Sequence, residues 1–361
     1  METIVYAALL SGKYGYSDAS RDYCKAFEAL APKLGFRLEK VDVGTQAGVL
    51  GLINGDWTGK HLIIHKMPGQ FRKEMMDQFR KAKSFTYMTV WECTMIPPNW
   101  IAELEQADTL VTFSDFSASG FRNTFDRMKK KLPEMVIIPH FLRPFEPDVV
   151  EDFNPLIDER HNILFTASQL TERKGVDLLI KSFWAVENAE ASKLRLIIKC
   201  PTGTQKYCDA VLPKNDRPDI VVIEDYLTNA QMDYLMSICP SFISTARGEG
   251  FGLDVVRAGN AGIDTYSTEG SAPDSWLEPC DTYHTIRSDL EPVVSVSTYS
   301  FANTRGMRWP VPRMSGIIET FNQISKSVPV KFTIDEANRK INAFNEGTTK
   351  LVTQLLERIL A

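Results

Sequence analysis

Two short segments concentrate the residue types that can handle a phosphate and a sugar. The first is Ser244–Gly262, STARGEGFGLDVVRAGNAG, where the apolar run SFIS passes into Gly248-Glu249-Gly250-Phe251-Gly252 and then into LDVVRAGN, which has helical character. A glycine-rich turn between strand and helix presents backbone N–H groups and the positive end of the helix dipole, a setting suited to an anion. A Glu in that turn can accept hydrogen bonds from sugar hydroxyls. Taken alone, the glycines are better explained by a tight turn that needs them for backbone reasons. The second segment is Thr166–Gly175, TASQLTERKG, ahead of the amphipathic run GVDLLIKSF. Arg173 and Lys174 stand where a helix begins, and a cation is badly placed against the dipole there. An anion sharing the site accounts for that placement, since Lys beside backbone donors is a common phosphate device. Taken alone, two solvated charges on a loop are the simpler explanation.

Other residue types offer less. The five histidines show no H-E-x-x-H or comparable spacing, so metal ligation has little support. His65 ends the run HLIIH, and His140 sits among prolines; either could touch a substrate, although single histidines are more often structural. Glu92, in WECT at the end of another apolar run, could serve as an acceptor-side carboxylate or simply make local hydrogen bonds. The six cysteines form no C-x-x-C, which argues against structural zinc and a thioredoxin-like motif. No Ser/His/Asp or Cys/His spacing supports nucleophilic catalysis.

These residues need a scaffold, and the chain alternates strand and helix. TIVYAALL, FRLEKVDV, HLIIH, FTYMTVW, TLVTF and MVIIP read as short buried strands. Between the first two, SDASRDYCKAFEALAPKLG places Tyr23, Phe27 and Leu30 on one helical face, with Ser17 and Asp18 as candidate caps. Such alternation is the signature of a parallel sheet covered by helices on both faces. Pro139, Pro144, Pro147 and Pro155 then interrupt any helix or central strand. The alternation resumes with NILFTAS, GVDLLIKSFWAVENA, KLRLIIKC, DIVVIEDY, AQMDYLMSI and SFIS, and the chain from about Asp335 reads as helical. At 361 residues, 43% hydrophobic and 24% charged, this is an ordinary globular composition of about two domains. No apolar run approaches the roughly 18 residues of a membrane span. The first residues read as a strand and not as a signal peptide, which gives a cytoplasmic expectation with reduced thiols.

The landmarks together resemble the GT-B glycosyltransferases, specifically the large family four of retaining enzymes. SGKYGYS resembles the loop after the first strand, WECTMIPPNWIAELEQADTLVTFSDFSASGF the acidic W-E stretch with its following helix and strand, and IIPHFL the interdomain segment. TERKGVDLLIKSF, ARGEGFGLDVVRAGNAG and MRWPVP resemble the donor-domain signatures. The resemblance covers roughly residues 1–325. It implies an α/β fold of two Rossmann-like domains facing each other across a cleft: 1–145 on the acceptor side, 146–155 as linker, 156–325 for the donor, and 326–361 as C-terminal helices that can pack back on the first domain.

The resemblance also implies roles. Lys174 would contact the diphosphate of a nucleotide-sugar, Glu249 would hold sugar hydroxyls, and Gly250, Phe251 and Gly252, with Leu253 next to them, would line the donor. Gly12, Tyr14 and Gly15 would bring the first loop to the donor. No D-x-D occurs, which fits metal-independent transfer with no cofactor beyond the nucleotide-sugar, the departing diphosphate being stabilised electrostatically. Two positions depart from the family pattern. A Glu eight residues after the first is replaced by Arg257, and an Arg five or six residues before the Lys is replaced by Gln169 or Ser168. Arg173 could supply the missing charge, and Asp254, on the same helical face as Arg257, could take the ribose. The alternative is a catalytically inactive GT-B-like protein that binds a sugar or nucleotide.

The acceptor is open: a saccharide, a lipid-linked glycan or a modified base in nucleic acid. The first 150 residues carry 19 Lys+Arg against 18 Asp+Glu in a chain of net charge −5, so the front is the less acidic part. FRKEMMDQFRKAKS puts Phe71, Met75, Phe79 and Ala82 at helical spacing among Arg72, Lys73, Arg80, Lys81 and Lys83, and Arg127, Lys129, Lys130 and Lys131 form a second basic cluster. A basic amphipathic helix can lie on an anionic membrane surface, and a basic groove can hold a nucleic-acid backbone. Ordinary solvated helix faces explain both clusters more simply.

Overall fold

The structure is a computed structural model. It describes residues 1–361 apart from 13–14, 72, 187–192, 212–218, 281, 295–303 and 330–331, and it gives the backbone alone for 73 and 208–211. The chain divides into two units, Met1–Phe141 together with Phe344–Ala361, and Leu142–Ala343. Residues 146–155 therefore fall inside the second unit, where Glu151–Leu156 forms a 3-10 helix with Phe153 and Leu156 buried.

In the first unit β1 (Glu2–Ala8), β2 (Phe36–Asp42), β3 (His61–His65), β4 (Ser84–Met88), β5 (Thr109–Thr112) and β6 (Glu134–Ile137) form one parallel sheet, ordered β2-β1-β3-β4-β5-β6. The helices are α1 (Gly15–Leu34), α2 (Gln46–Asn54), α3 (Lys73–Phe79), α4 (Ile101–Leu104) and α5 (Asp115–Arg127). HLIIH is buried at every position, as a central strand covered on both faces must be. Each buried Leu or Ile of this kind contributes about 1.5–3 kcal/mol relative to exposure. Tyr23, Phe27 and Leu30 of α1 are buried, so the expected face points inward. Ser17 does not cap that helix: α1 begins at Gly15, and the Ser17 hydroxyl donates to Ser11 O at 3.1 Å. The caps that do form follow chemistry: Thr45 accepts from Gly48 N at α2, and Ser114 from Ser117 N at α5.

The second unit repeats the plan. Strands β7 (His161–Thr166), β8 (Leu194–Lys199), β9 (Ile220–Ile223), β10 (Ser241–Ser244), β11 (Asp264–Thr268) and β12 (Tyr283–Ile286) form a parallel sheet, ordered β12-β11-β10-β7-β8-β9. An antiparallel ribbon of β13 (Ser288–Pro292) and β14 (Arg308–Pro312) is added, and MRWPVP supplies its second strand. The helices are α6 (Val176–Trp184), α7 (Thr204–Val211), α8 (Asn229–Ser237), α9 (Leu253–Ala261) and α10 (Met314–Ile324). Leu179, Ile180 and Phe183 of α6 pack with Ile163, Phe165, Leu196 and Phe321 in one core, which fixes α6 against the sheet. The expected continuation of α6 to 189 runs beyond the described residues. The last helix, α11 (Ile334–Leu360), has its residues from Phe344 onward in the first unit. No described helix is long and apolar enough to cross a membrane.

Candidate functional site

The two segments singled out in the sequence meet in the second unit. After β7 the chain makes a 3-10 turn over Glu172–Lys174 and enters α6 through Gly175, a left-handed residue at φ 71°. A Cβ on Gly175 would lie 2.0 Å from Thr245 O, so only glycine lets the turn pass so close to the chain leaving β10. Backbone and side chains then clasp the two segments. Arg247 N donates to Arg173 O at 2.6 Å, Thr245 Oγ1 to Gly175 O at 3.0 Å, and Arg173 Nη1 to Gly248 O at 2.7 Å.

That clasp delivers the charged groups to one place. Lys174 Nζ donates to Glu249 Oε1 at 2.6 Å, and Arg173 Nη1 stands 3.6 Å from Glu249 Oε2. The Glu249 side chain is only 13% exposed. Burial alone would push its carboxyl up, but Lys174 and Arg173 outweigh burial and hold it below the usual carboxylate range. Gly250 and Phe251 follow, both buried, and Gly252 enters α9 at φ 81° with its own Cβ position 2.7 Å from Pro273. Two cations and one carboxylate thus stand by the glycine turn that precedes α9. Among the described residues no group of three or more His, Cys, Asp or Glu is placed to hold a metal ion.

Arg247 and Asp177 are additions that sequence reasoning missed. Arg247 Nη1 and Nη2 reach Asp177 Oδ1 and Oδ2, each at 2.9 Å, a bidentate pair that braces the turn carrying Lys174. Arg247 Nη1 also donates to Glu172 O. The only sequence signal was an Arg inside the motif and an acid in the first turn of α6.

The remaining residues expected to meet a donor divide. Asp254 is exposed and accepts from Thr166 Oγ1 at 2.6 Å, and Leu253 is half-buried next to it. Ser168 is exposed on the loop after β7. Arg257 is placed differently from the expectation that it faces the donor. It is buried, its Nε donates to Arg143 O at 2.7 Å and its Nη2 to Pro144 O at 3.1 Å, and Nη2 lies 2.8 Å from Asp233 Oδ1. Its guanidinium carbon sits 3.9 Å from the centroid of the Phe145 ring. Asp233 in turn takes a bidentate pair from Arg143 at 2.5 and 2.6 Å. Arg257 is a clamp on the first residues of the second unit, held there by backbone carbonyls and a buried acid.

In the first unit Gly12 has φ 116° and its carbonyl accepts from Arg21 Nη1 at 3.0 Å, while Gly15 opens α1. Tyr14 lies outside the described residues. His65 is fully buried at the end of β3, with Nδ1 2.7 Å from the Tyr6 hydroxyl. Burial pushes its pKa down to about 3, so it is a neutral ring. His140 is also buried and belongs to the first unit, its ring 3.9 Å from that of Phe113. The strand expected to run to Trp91 stops at Met88, so half-buried Glu92 lies in the following segment and not at a strand end.

The basic segment 71–84 is helical only over Lys73–Phe79, and Met76 and Phe79 are buried. That side of the helix faces the interior of its own unit. Arg72 is outside the described residues, and of Lys73 only the backbone is described. Arg127, Lys129, Lys130 and Lys131 are exposed, with Lys130 3.0 Å from Glu105.

No family model and no curated protein sequence matches the chain. Among solved structures it is similar to the pneumococcal O-GlcNAc transferase GtfA in complex with UDP and GlcNAc, with TM-score 0.61 and 12% identity over 88% of this chain and 60% of that one. It is similar to Anabaena HepE in complex with UDP and glucose, with TM-score 0.62 and 12% identity over 100% of this chain and 99% of that one. It is also similar to WaaG, a glycosyltransferase involved in lipopolysaccharide biosynthesis, with TM-score 0.60 and 12% identity over 97% and 99%. The chain spans about 60% of the length of GtfA. The class that this likeness defines is one of fold: two α/β units, each built on a parallel six-stranded sheet, of the GT-B type. The neighbours that share the fold are GT-B glycosyltransferases.

Proposed function

We propose that this protein is a glycosyltransferase that moves a sugar from a nucleoside diphosphate to a hydroxyl acceptor. The observation that carries the reading is the meeting of Arg173, Lys174 and Glu249 at the glycine turn ahead of α9. A fold alone does not assign an activity, but this cluster has the parts that the transfer needs. An ammonium has three donors, and Glu249 occupies one of them, so Lys174 can meet a diphosphate without leaving its carboxylate. The N-terminus of α9 adds backbone N–H groups. Glu249, kept ionised by the two cations, is an acceptor for sugar hydroxyls.

Charge grows on the diphosphate as the sugar–oxygen bond breaks, and donors already in place stabilise it without reorganising. Arg173 and Lys174 bring positive charge to that point, which supports transfer without a divalent ion. A retaining course, in which the leaving phosphate assists the incoming hydroxyl, follows from the family resemblance and is part of this proposal. The neighbours GtfA and HepE are in complex with UDP, so UDP-sugars are the first donors to test.

The test is a thermal-shift and hydrolysis screen with UDP-, GDP-, ADP- and TDP-sugars. A true donor raises the melting temperature by mass action and slowly releases its diphosphate. If no nucleotide-sugar shifts the melting temperature at millimolar concentration, the reading fails.

A further inference from the structure

The first unit contains a cavity of about 500 Å³ that the donor chemistry does not use. It lies at the carboxyl ends of three strands: Leu9 follows β1, Val43 and Gly44 follow β2, and Lys66 and Met67 follow β3. This is the edge of a parallel sheet at which ligands bind, and the volume suits a small molecule. Val49 and Ile53 of α2 and Met75 of α3, with Phe71, add apolar walls.

Among the described residues the lining holds one charge. Lys66 is half-buried, its Nζ lies 4.9 Å from the centroid of the Phe71 ring, and it makes no ion pair among the described residues. Burial holds its pKa below the usual lysine value, although Glu103 pulls the other way. A half-desolvated ammonium in an apolar wall gains from an anion, and most from one that brings apolar surface with it.

The walls are tied in place before any ligand arrives. Asp42 accepts from Leu10 N at 3.0 Å and Gly44 N at 2.9 Å, which joins the ends of β1 and β2. Glu103, buried on α4, accepts from Phe71 N at 2.6 Å and from the Tyr87 hydroxyl at 3.3 Å, which fixes the loop after β3. A site so held loses little entropy on binding.

We infer that this cavity binds an anionic amphiphile, a molecule with an apolar body and a single phosphate or carboxylate that pairs with Lys66. The binding site stands on its own residues; giving that molecule the part of acceptor rests on the glycosyltransferase reading.

Isothermal titration calorimetry of the full chain with octyl phosphate, inorganic phosphate and 1-octanol tests it. Octyl phosphate binds at one site, and the two half-molecules bind at least about tenfold more weakly. Lys66→Met, which keeps the stem, weakens octyl phosphate by about tenfold and leaves octanol unchanged. Val49→Trp fills the cavity and removes binding, with Ile53→Phe as a milder filler if that variant does not fold. No binding of octyl phosphate, or equal binding by Lys66→Met, overturns the site. Co-sedimentation with phosphatidylglycerol vesicles, lost in Lys66→Met, makes the source a membrane lipid; octyl phosphate binding without co-sedimentation makes it a soluble amphiphile. Octyl phosphate binding with no response to any nucleotide-sugar sinks the transferase reading and leaves this site standing, and the reverse result sinks this site alone.

Discussion

Lys174 Nζ and Glu249 Oε1 are 2.6 Å apart although 75 residues separate them in the chain. The contact exists because the turn after β7 and the turn after β10 are clasped by their own backbones. Replacing Glu249 with Ala removes the carboxylate that the proposed reading assigns to the sugar and takes from Lys174 its 2.6 Å partner. Diphosphate release from the preferred nucleotide-sugar is expected to vanish in Glu249→Ala and to fall by roughly 100- to 1000-fold in Lys174→Ala. Near-normal turnover in either variant, measured by coupled phosphate assay, would falsify the assigned role.

Gly175 is the geometric key of the same clasp. Ala there must adopt φ near 71° and place its Cβ 2.0 Å from Thr245 O. Gly175→Ala is therefore expected to cost more than about 2 kcal/mol of stability and to weaken donor binding along with it. Urea denaturation of the second unit's signal and a donor thermal shift read the two effects; an unchanged midpoint contradicts the clasp.

Arg257 gives a different kind of result. Its guanidinium is bound by Arg143 O, Pro144 O and Asp233. Arg257→Glu puts a second carboxylate beside buried Asp233, and breaking a buried pair costs about 3–5 kcal/mol. The expected outcome is a melting temperature lower by many degrees with donor preference unaltered in whatever fraction folds. A stable variant with a switched nucleotide preference would restore the role toward the donor that the sequence suggested.

His65 sets a pH dependence whose sign is fixed by burial. Its folded pKa of about 3 lies below the roughly 6.5 of an unfolded histidine. Between these values the unfolded chain holds a proton that the folded chain does not, so the stability is full above about pH 6.5 and is lost as pH falls toward 3. From pH 6.5 to 5 that loss is about 2 kcal/mol. His65→Leu leaves Tyr6 its second acceptor, Ser20 O at 3.2 Å, and should reduce the loss between pH 7.5 and 5 by about that amount in denaturant titrations. An identical slope in both proteins rules the assignment out.

What the sequence revealed followed from the physics of each feature. Short β-branched runs such as HLIIH and LRLIIK declared their strands because a central parallel strand must be apolar on both faces. Arg173, Lys174 and Glu249 were legible because glycine turns and helix starts have local chemistry. DTYST at β11 was not, since a run with one large apolar residue carries no apolar pattern, and its polar groups are satisfied only in the fold: Tyr266 donates to Asp264 of the same strand at 2.8 Å, and Ser267 meets the Tyr283 hydroxyl of β12 at 2.8 Å. Arg247–Asp177 and Arg257–Asp233 were equally hidden, because a charge pair set by the tertiary path leaves no periodic trace. The cavity around Lys66 was half visible: its Phe71 and Met75 stood in the basic segment 71–84 while Lys66 lay outside it, and a linear pattern cannot distinguish a solvated face from one wall of a pocket.

The tail of α11 has a consequence for how the protein is made. Val352, Leu355 and Leu356 are buried, and residues from Phe344 onward belong to the unit that the first 141 residues begin. The second unit is one continuous stretch of chain, 142–343. On the ribosome it can therefore finish folding before the first unit can, because the piece that completes the first unit is translated after all of the second. A nascent chain halted near residue 343 would carry one completed unit and one with an open apolar seam, a form that a chaperone would bind and a protease would cut.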